Sequence, residues 1–440
     1  LSYGQEVCFS APKYLLKKLQ SIDCKAYRLA LGVPFHASAL ETYKEMGMLS
    51  LDEYRQLACA KYVLRSSTPE NFASEEVKMK SEISFPKRAQ HISSLTTIGT
   101  YVSDLYERSG ISLSDVDSQK VVSPYPTWEM NQARFDIDYT DIKKNENPNV
   151  MASNVQLHIQ DNYCDYLKVY TDGSLLDNHQ AGSAFVIPAL KIEKSYYVGK
   201  NRSVFTAELT AILMALTYIL NHPVCILRIL LCVDSKSVLY ALKSSDYKNN
   251  SKLVSDIKSI IHFLSLRGIN VVFCWIPSHI GLYSNEWADK AAKKGASNEN
   301  GSIELHIPLS IQEGYRMLEQ ASMTKFKELH QMKERLSYWV PNKYNYEDIL
   351  QSKIHANVIR ERQLQALFFR IRLNAFITKF SKNVKCLCGE GISNTHIIFE
   401  CQSLKLYLPA FPEKSLEKVL DNVKLVFDIA RGLLHSPIGH

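Results

Sequence analysis

The chain has 440 residues, with 52 Lys and Arg against 45 Asp and Glu and a formal charge of +7, and that length predicts about two to four compact units. At 46% hydrophobic and 22% charged, with 17 Gly and 15 Pro, it is neither collagenous, nor a long low-complexity segment, nor a transmembrane bundle. The mild basic excess is compatible with polyanion binding without identifying it.

Residues 12–66 carry apolar positions at helical spacing, first Tyr14, Leu15, Leu19 and Ile22, then Leu49, Leu51, Tyr54, Leu57 and Ala58, which predicts a helical region over 1–66. Lys17, Lys18, Lys25 and Arg28 read there as a solvated helix face before they read as phosphate contacts. From 67 to 162 the pattern loosens, with Pro86, Pro124, Pro126 and Pro148 and the run DIKKNENPN, and a linker with short helices is expected. Order returns at Tyr166: YLKVYTDGS, GSAFVI and SYYVG alternate as three antiparallel strands. FTAELTAILMALTYIL follows, apolar nearly all round and therefore a helix buried against a sheet, stopping at Asn221, His222 and Pro223. CILRILLCV predicts a central strand ending at Asp234 and Ser235, where a helix N-cap is expected. Two helices come next, the second with Gly268 at its C-cap, then the strand NVVFCWIP and a helix capped by Ser284 or Asn285 and ended by Gly295. The order βββ-α-β-α-α-β-α over 163–300 is a mixed five-stranded α/β sheet with helices on its faces.

The chain opens LSYGQEVC, with no Met start and no apolar signal region. This suggests a piece of a longer chain or a processed one. Ten cysteines are too sparse for a disulfide scaffold, so an intracellular setting is expected, nucleus and cytoplasm not being distinguished. The most apolar stretch, Leu209 to Val233, is broken by Pro223 and Arg228 into pieces shorter than the roughly 20 apolar residues of a spanning helix. No membrane partner is expected.

Four carboxylates stand out. Asp172 and Asp234 end hydrophobic strands, Glu208 sits inside the buried helix and Asp289 lies one turn into the last one. Taken singly, Asp172 reads as a turn residue, Asp234 as an N-cap and Asp289 as a first-turn charge. Glu208 between apolar flanks resists such a reading, because a buried carboxylate needs a proton, hydrogen bonds or a cation. Mg²⁺ takes hard oxygen ligands, and two such ions about 3.5 to 4 Å apart would activate water and stabilise the leaving oxygen in phosphodiester hydrolysis.

The segments YTDGS, FTAELTAILMAL, LLCVDSKSVLYAL and WIPSHIGLYSNEWADKAAKKG resemble the ribonuclease H domain of non-LTR (LINE-type) retrotransposon polyproteins, from about Tyr166 to Ala296. The resemblance implies a ribonuclease H-like fold. It also implies that Asp172, Glu208, Asp234 and Asp289 hold two Mg²⁺ ions, with Mn²⁺ as an alternative, and that His279 in PSHIG is the loop histidine near the scissile site. The implied activity is hydrolysis of the RNA strand of an RNA–DNA hybrid. The N-terminal helical region is similar to the reverse-transcriptase thumb and tail of such polyproteins, but no YxDD motif occurs, so polymerase activity is not expected. The other reading is a noncatalytic nucleic-acid-binding remnant. A transposase-like or junction-resolving nuclease is a third, disfavoured by the TDGS and NEWAD contexts.

Beyond 300, a helical basic region is expected over 301–380. There LQALFFRIRLNAFITKF interleaves Arg370, Arg372 and Lys379 with Phe369, Phe376 and Phe380. That mixture suits phosphate contact and base stacking, and equally an amphipathic core helix. Cys386, Cys388, His396 and Cys401 form a Cys₃His set over 381–405 that suits tetrahedral Zn²⁺. It resembles the CCHC knuckle of the same elements, although one residue rather than two separates the first cysteines. Single-stranded RNA or DNA is the implied partner of that knuckle, and residues 406–440 form a tail.

Overall fold

The computed structural model describes residues 4–9, 11–46, 48–66, 98–116, 130–137, 147–222, 227–244, 252–298, 302–329, 362–373, 375, 386, 388–391, 393, 395–410 and 415–436. They fall into two compact units. A sheet unit comprises Leu64–Met79 and Gly110–Met317, and a helical unit comprises Leu1–Val63, Lys80–Ser109 and Leu318–His440.

The sheet unit is built on β1 (Arg134–Asp136), β2 (Leu167–Leu175), β3 (Gln180–Ile187), β4 (Ile192–Lys200), β5 (Arg228–Val233), β6 (Asn270–Trp275) and β7 (Ile303–Glu304). Their spatial order is β1-β6-β5-β2-β3-β4-β7. The hairpins β2–β3 and β3–β4 are antiparallel, while β2–β5, β5–β6, β1–β6 and β4–β7 are parallel. The five expected strands form the centre. The short edge strands β1 and β7 extend it, each too brief to carry a period-2 pattern.

Helices α6 (Val204–Asn221), α7 (Lys236–Lys243) and α8 (Lys252–Leu266) cover one face through Leu209, Ile212, Leu216, Val238, Leu239 and Ile257. Helices α5 (Pro148–Tyr163) and α9 (Tyr283–Ala296) cover the other through Val155, Ile159, Ala288, Ala291 and Ala292. Helix α6 is long and apolar enough to cross a membrane, but Leu209, Ile212, Ala215, Leu216 and Ile219 pack into this core. The C-terminus of α8 closes as expected, with Gly268 at φ +76° and the Ile269 amide donating to Leu264 O at 2.9 Å.

Two expectations are corrected. Part of the proposed linker 67–162 is integral to the sheet unit: α5 is pinned to β1 where Asp136 accepts from Tyr163 Oη at 2.6 Å and pairs with His158 Nε2 at 2.8 Å. The start of α9 also differs, since its N-cap position is Leu282 and no side chain caps it. The polar residues that read as caps are engaged elsewhere, Ser284 with Tyr170 and Asn285 with Asp234.

Glycines set the closest approaches. A Cβ on Gly182 of β3 would lie 2.1 Å from Ala296 N, and one on Gly295 of α9 would lie 2.5 Å from Tyr196 O of β4. Helix backbone therefore rests directly on strand backbone. Gly182→Ala is expected to cost about 3 kcal/mol, since backbone cannot yield as a side chain does; a urea midpoint equal to wild type would contradict this contact.

The helical unit contains α1 (Lys13–Leu31), α2 (Ala39–Met46), most of α3 (Leu51–Ser66), α4 (Ile98–Ser109), the part of α10 (Ile311–Leu329) beyond Met317, and α11 (Arg362–Arg372), α12 (Leu416–Asp421) and α13 (Val423–Leu434). Helix α1 ends at Gly32, φ +71°, whose absent Cβ admits Ala366. One core joins Leu31 and Val33 to Leu364, Phe368, Ile371, Cys386, Ile397, Cys401, Val426 and Phe427.

Candidate active site

Strand β2 brings Asp172 to the middle of the sheet, one strand from the end of β5, after which Asp234 follows. Gly173, next to Asp172, lets β2 pass against the first turns of α6, because a Cβ there would stand 2.4 Å from Glu208 N. The start of α6 is itself fixed: Ser203 Oγ accepts from Thr206 N at 3.1 Å. Buried Glu313 accepts from Ser203 N at 2.6 Å and Thr206 Oγ1 at 2.7 Å. Glu208 is thus aimed into the sheet by a cap, a buried acid and a missing side chain.

The outcome is convergence of three of the four expected acids. Carboxylate oxygens of Asp172, Glu208 and Asp234 all lie within 4.8 Å of one another. Asp172 is 7% exposed and Glu208 4%, so water cannot offset their charges. Burial, followed by the Asp234 and Asp289 charges, pushes the Asp172 carboxyl up to about 7. Burial, then Asp234 and Asp172, raises Glu208 well above the carboxylate range. Burial also raises Asp234, opposed by hydrogen bonds from Asn285 and Glu208 and by the nearby His279. Glu208 Oε2 is buried with no hydrogen-bond partner. Two or more hard anionic oxygens, crowded, dry and incompletely satisfied, fit a divalent cation such as Mg²⁺.

The fourth acid, Asp289, stands on α9 beside this group. Its charge is felt at Asp172, but its Oδ2 accepts from Lys293 Nζ at 2.7 Å. His279 is exposed, at φ +54° in the turn between β6 and α9, and its charge bears on Asp234.

Residues without an expected role complete the setting. Asn285 is 4% exposed and donates to the Asp234 carboxylate, while its Oδ1 is buried and unpartnered. Trp275 Nε1 donates to Asp234 O at 3.0 Å, and the Lys236 ammonium sits 3.8 Å over the Trp275 ring. Glu313, which locks α6, stands in no local pattern that would mark it. The only sequence signal for Asn285 was its place one helical turn before Asp289, and there it resembled a cap.

In the helical unit, the ligand atoms of Cys386, Cys388, His396 and Cys401 lie within 4.8 Å of one another. Cys386 Sγ and Cys401 Sγ are 3.4 Å apart, and Cys388 Sγ is 3.2 Å from His396 Nε2. These are a few tenths shorter than the ~3.6 to 3.8 Å edges of a zinc-centred tetrahedron, so the set fits Zn²⁺ after a small expansion. Glu400 Oε2 faces the other imidazole nitrogen, Nδ1, at 3.6 Å, where a second-layer carboxylate orients a ligating histidine. Cys386, His396 and Cys401 are buried and only Cys388 is exposed, so the set lies inside the helical core.

The neighbouring basic helix is corrected. Arg372 is 3% exposed, its Nε and Nη2 donate to Glu45 at 2.8 and 3.0 Å, and Nη1 donates to Leu420 O. Each guanidinium nitrogen makes a bond within the fold, and its burial keeps the side chain from a phosphate in solution. Arg370 Nε donates to Gly32 O at 3.1 Å. This helix packs into the core with Arg372 buried rather than exposed, while Phe376, Lys379 and Phe380 lie outside the described residues.

Comparison with known proteins gives one family: the RNase H model matches residues 165–297. Two solved structures are similar at 23% identity, each covering 30% of this chain and 96% of its own. They are LC11-RNase H1 in complex with an RNA/DNA hybrid, TM-score 0.25, and LC11-RNase H1 isolated from compost by a metagenomic approach, TM-score 0.26. No curated protein matches the chain. Residues 165–297 are an RNase H domain, and they contain all four acids and His279.

Proposed function

We propose that the chain is a divalent-metal-dependent endonuclease that hydrolyses the RNA strand of RNA–DNA hybrids, within a non-LTR retrotransposon polyprotein. The observation that carries this reading is the convergence of Asp172, Glu208 and Asp234 within 4.8 Å, with Glu208 Oε2 buried and unpartnered. Asp172, Glu208, Asp234 and Asp289 would hold Mg²⁺ or Mn²⁺, as two ions. Bound there, the metal supplies positive charge that activates an attacking water and offsets charge on the departing 3′ oxygen.

The chain's own groups do the rest. Asn285 and the Trp275 indole hold the Asp234 side chain and backbone in place, so that the carboxylate need not reorganise during reaction. His279, on an exposed turn, would pass a proton to the departing oxygen, which leaves as a 3′-hydroxyl while the 5′-phosphate remains on the other product. Choice of the RNA strand would rest on 2′-hydroxyl and shape contacts along the minor groove. The retrotransposon setting is supported by the thumb-like N-terminal helices and by the Cys₃His set, which we read as a zinc site. Single-stranded RNA or DNA would meet that site on the exposed side, at Cys388.

Cleavage of an end-labelled hybrid in Mg²⁺ tests the reading. Wild type should cut the RNA strand, and Asp234→Asn should lose about 10³-fold or more of the rate, as expected when a group central to transition-state charge is removed. His279→Ala should lose less. Equal cleavage by wild type and Asp234→Asn, or none by either, would defeat the nuclease reading.

A further inference from the structure

Asp289 differs from the other three acids in what faces it. Among the described residues, the ion pairs place a lysine or arginine on one of the four only, Lys293 on Asp289 at 2.7 Å. The two residues are one helical turn apart on α9. An i,i+4 pair of this kind contributes only a few tenths of a kcal/mol to a helix, and α9 is already held by backbone contact through Gly182 and Gly295. Stability therefore gives little account of it. The Lys293 side chain is 53% exposed, so its ammonium can exchange the carboxylate for water at small cost. Its charge also reaches Asp172, the converged acid that feels the Asp289 charge.

A monovalent cation on a flexible arm thus occupies the one acid that stands apart from the cluster. We propose that Lys293 is a positioning residue that competes with a divalent cation for Asp289, holding that carboxylate in the ion-free protein and releasing it when a divalent ion is bound. Lys293 thereby sets the Mg²⁺ concentration at which the fourth carboxylate is engaged. The inference rests on the reading of the four acids as a divalent-ion site.

The test uses the full chain and reads Mg²⁺ binding directly, by calorimetric titration and by the Mg²⁺ dependence of the thermal midpoint, alongside hybrid cleavage. Lys293→Gln removes the charge at similar length and should lower the half-saturating Mg²⁺ concentration by about 3- to 10-fold, the scale of one partly screened charge acting on a dication. Lys293→Arg keeps the charge and should stay within about twofold of wild type on that same scale. In an Asp289→Asn background, Lys293→Gln should have no further effect on Mg²⁺ binding. An unchanged half-saturation in Lys293→Gln, or an equal shift with and without Asp289, overturns the inference. If wild type cleaves hybrid with Mg²⁺ and Lys293→Gln binds the ion as wild type does, Lys293 alone has failed. If wild type neither binds Mg²⁺ nor cleaves, the nuclease reading falls with it.

Discussion

Replacing Asp172 by Asn is expected to abolish hybrid cleavage and, in magnesium-free buffer, to make the protein more stable. Asp172 titrates at about 7 in the fold against about 3.9 in an unfolded chain. Below about pH 4 both states hold the proton and the group contributes nothing. Between about pH 4 and 7 the unfolded state gives up its proton while the folded state keeps it, so stability falls as pH rises, and it levels off above about 7. At about 1.4 kcal/mol for each pH unit that separates the folded from the unfolded titration, the loss at pH 8 is on the order of 4 kcal/mol. The Asn variant lacks this penalty. Urea denaturation at pH 4.5 and pH 8 should show the variant ahead by only about 1 kcal/mol at the lower pH and by several times that at the higher one. Glu208 and Asp234 shift in the same direction, so the wild-type slope is shared among them and part of it survives in the variant. Mg²⁺ should restore wild type at pH 8 and leave Asp172→Asn nearly unmoved. A variant less stable than wild type at pH 8 would show that the carboxylate is satisfied by protein groups, contrary to its crowded burial.

Loss of the Cys₃His centre is expected to be at least as costly. Three of its four side chains lie in the core that joins Leu31 and Val33 to α11 and α13. Without an ion the buried thiols and the imidazole crowd one another and Cys388, with only backbone amides at Ser403 and Leu404 and the Glu400 carboxylate beside them. Structural zinc contributes roughly 10 to 16 kcal/mol in small zinc-dependent folds, which matches or exceeds the whole stability of an ordinary domain, about 5 to 15 kcal/mol. Purified protein should carry about one zinc per chain, as one four-ligand set requires, and Cys401→Ser or chelation should remove both the zinc and a large share of the far-ultraviolet helical signal. Cys388→Ser, altering the exposed ligand, should weaken zinc retention with a smaller loss of helix. Full helix content in zinc-free protein would reduce the set to three thiols and a histidine packed by chance.

Much of this was legible because acids stand out against apolar elements, although Asp172, read as ending its strand, lies within β2. A strand that stops at an acid, as β5 does before Asp234, and an acid inside an otherwise apolar helix, as at Glu208, conflict with burial unless a site explains them. What escaped reading depends on distance along the chain. The Arg372–Glu45 pair joins residues 327 apart, and no local pattern distinguishes an arginine bound for a carboxylate from one bound for a phosphate. Glu313 locks Ser203 across 110 residues. Asn285 and Ser284 obeyed the rule for helix caps, yet their side chains answer to Asp234 and Tyr170. β1 and β7, at three and two residues, owe their strand conformation to the sheet edge they join.

The bare contacts at Gly182 and Gly295 bear on how loss of activity in this chain would be diagnosed. Because α9 touches β3 and β4 with nothing between, and α9 carries both Asp289 and Asn285, one added methyl group at either glycine would slide both side chains off target together. Under the proposed nuclease function, a mutational survey scoring hybrid cleavage would record such variants as null with every acid intact. Intact acids are therefore insufficient grounds for expecting the proposed cleavage.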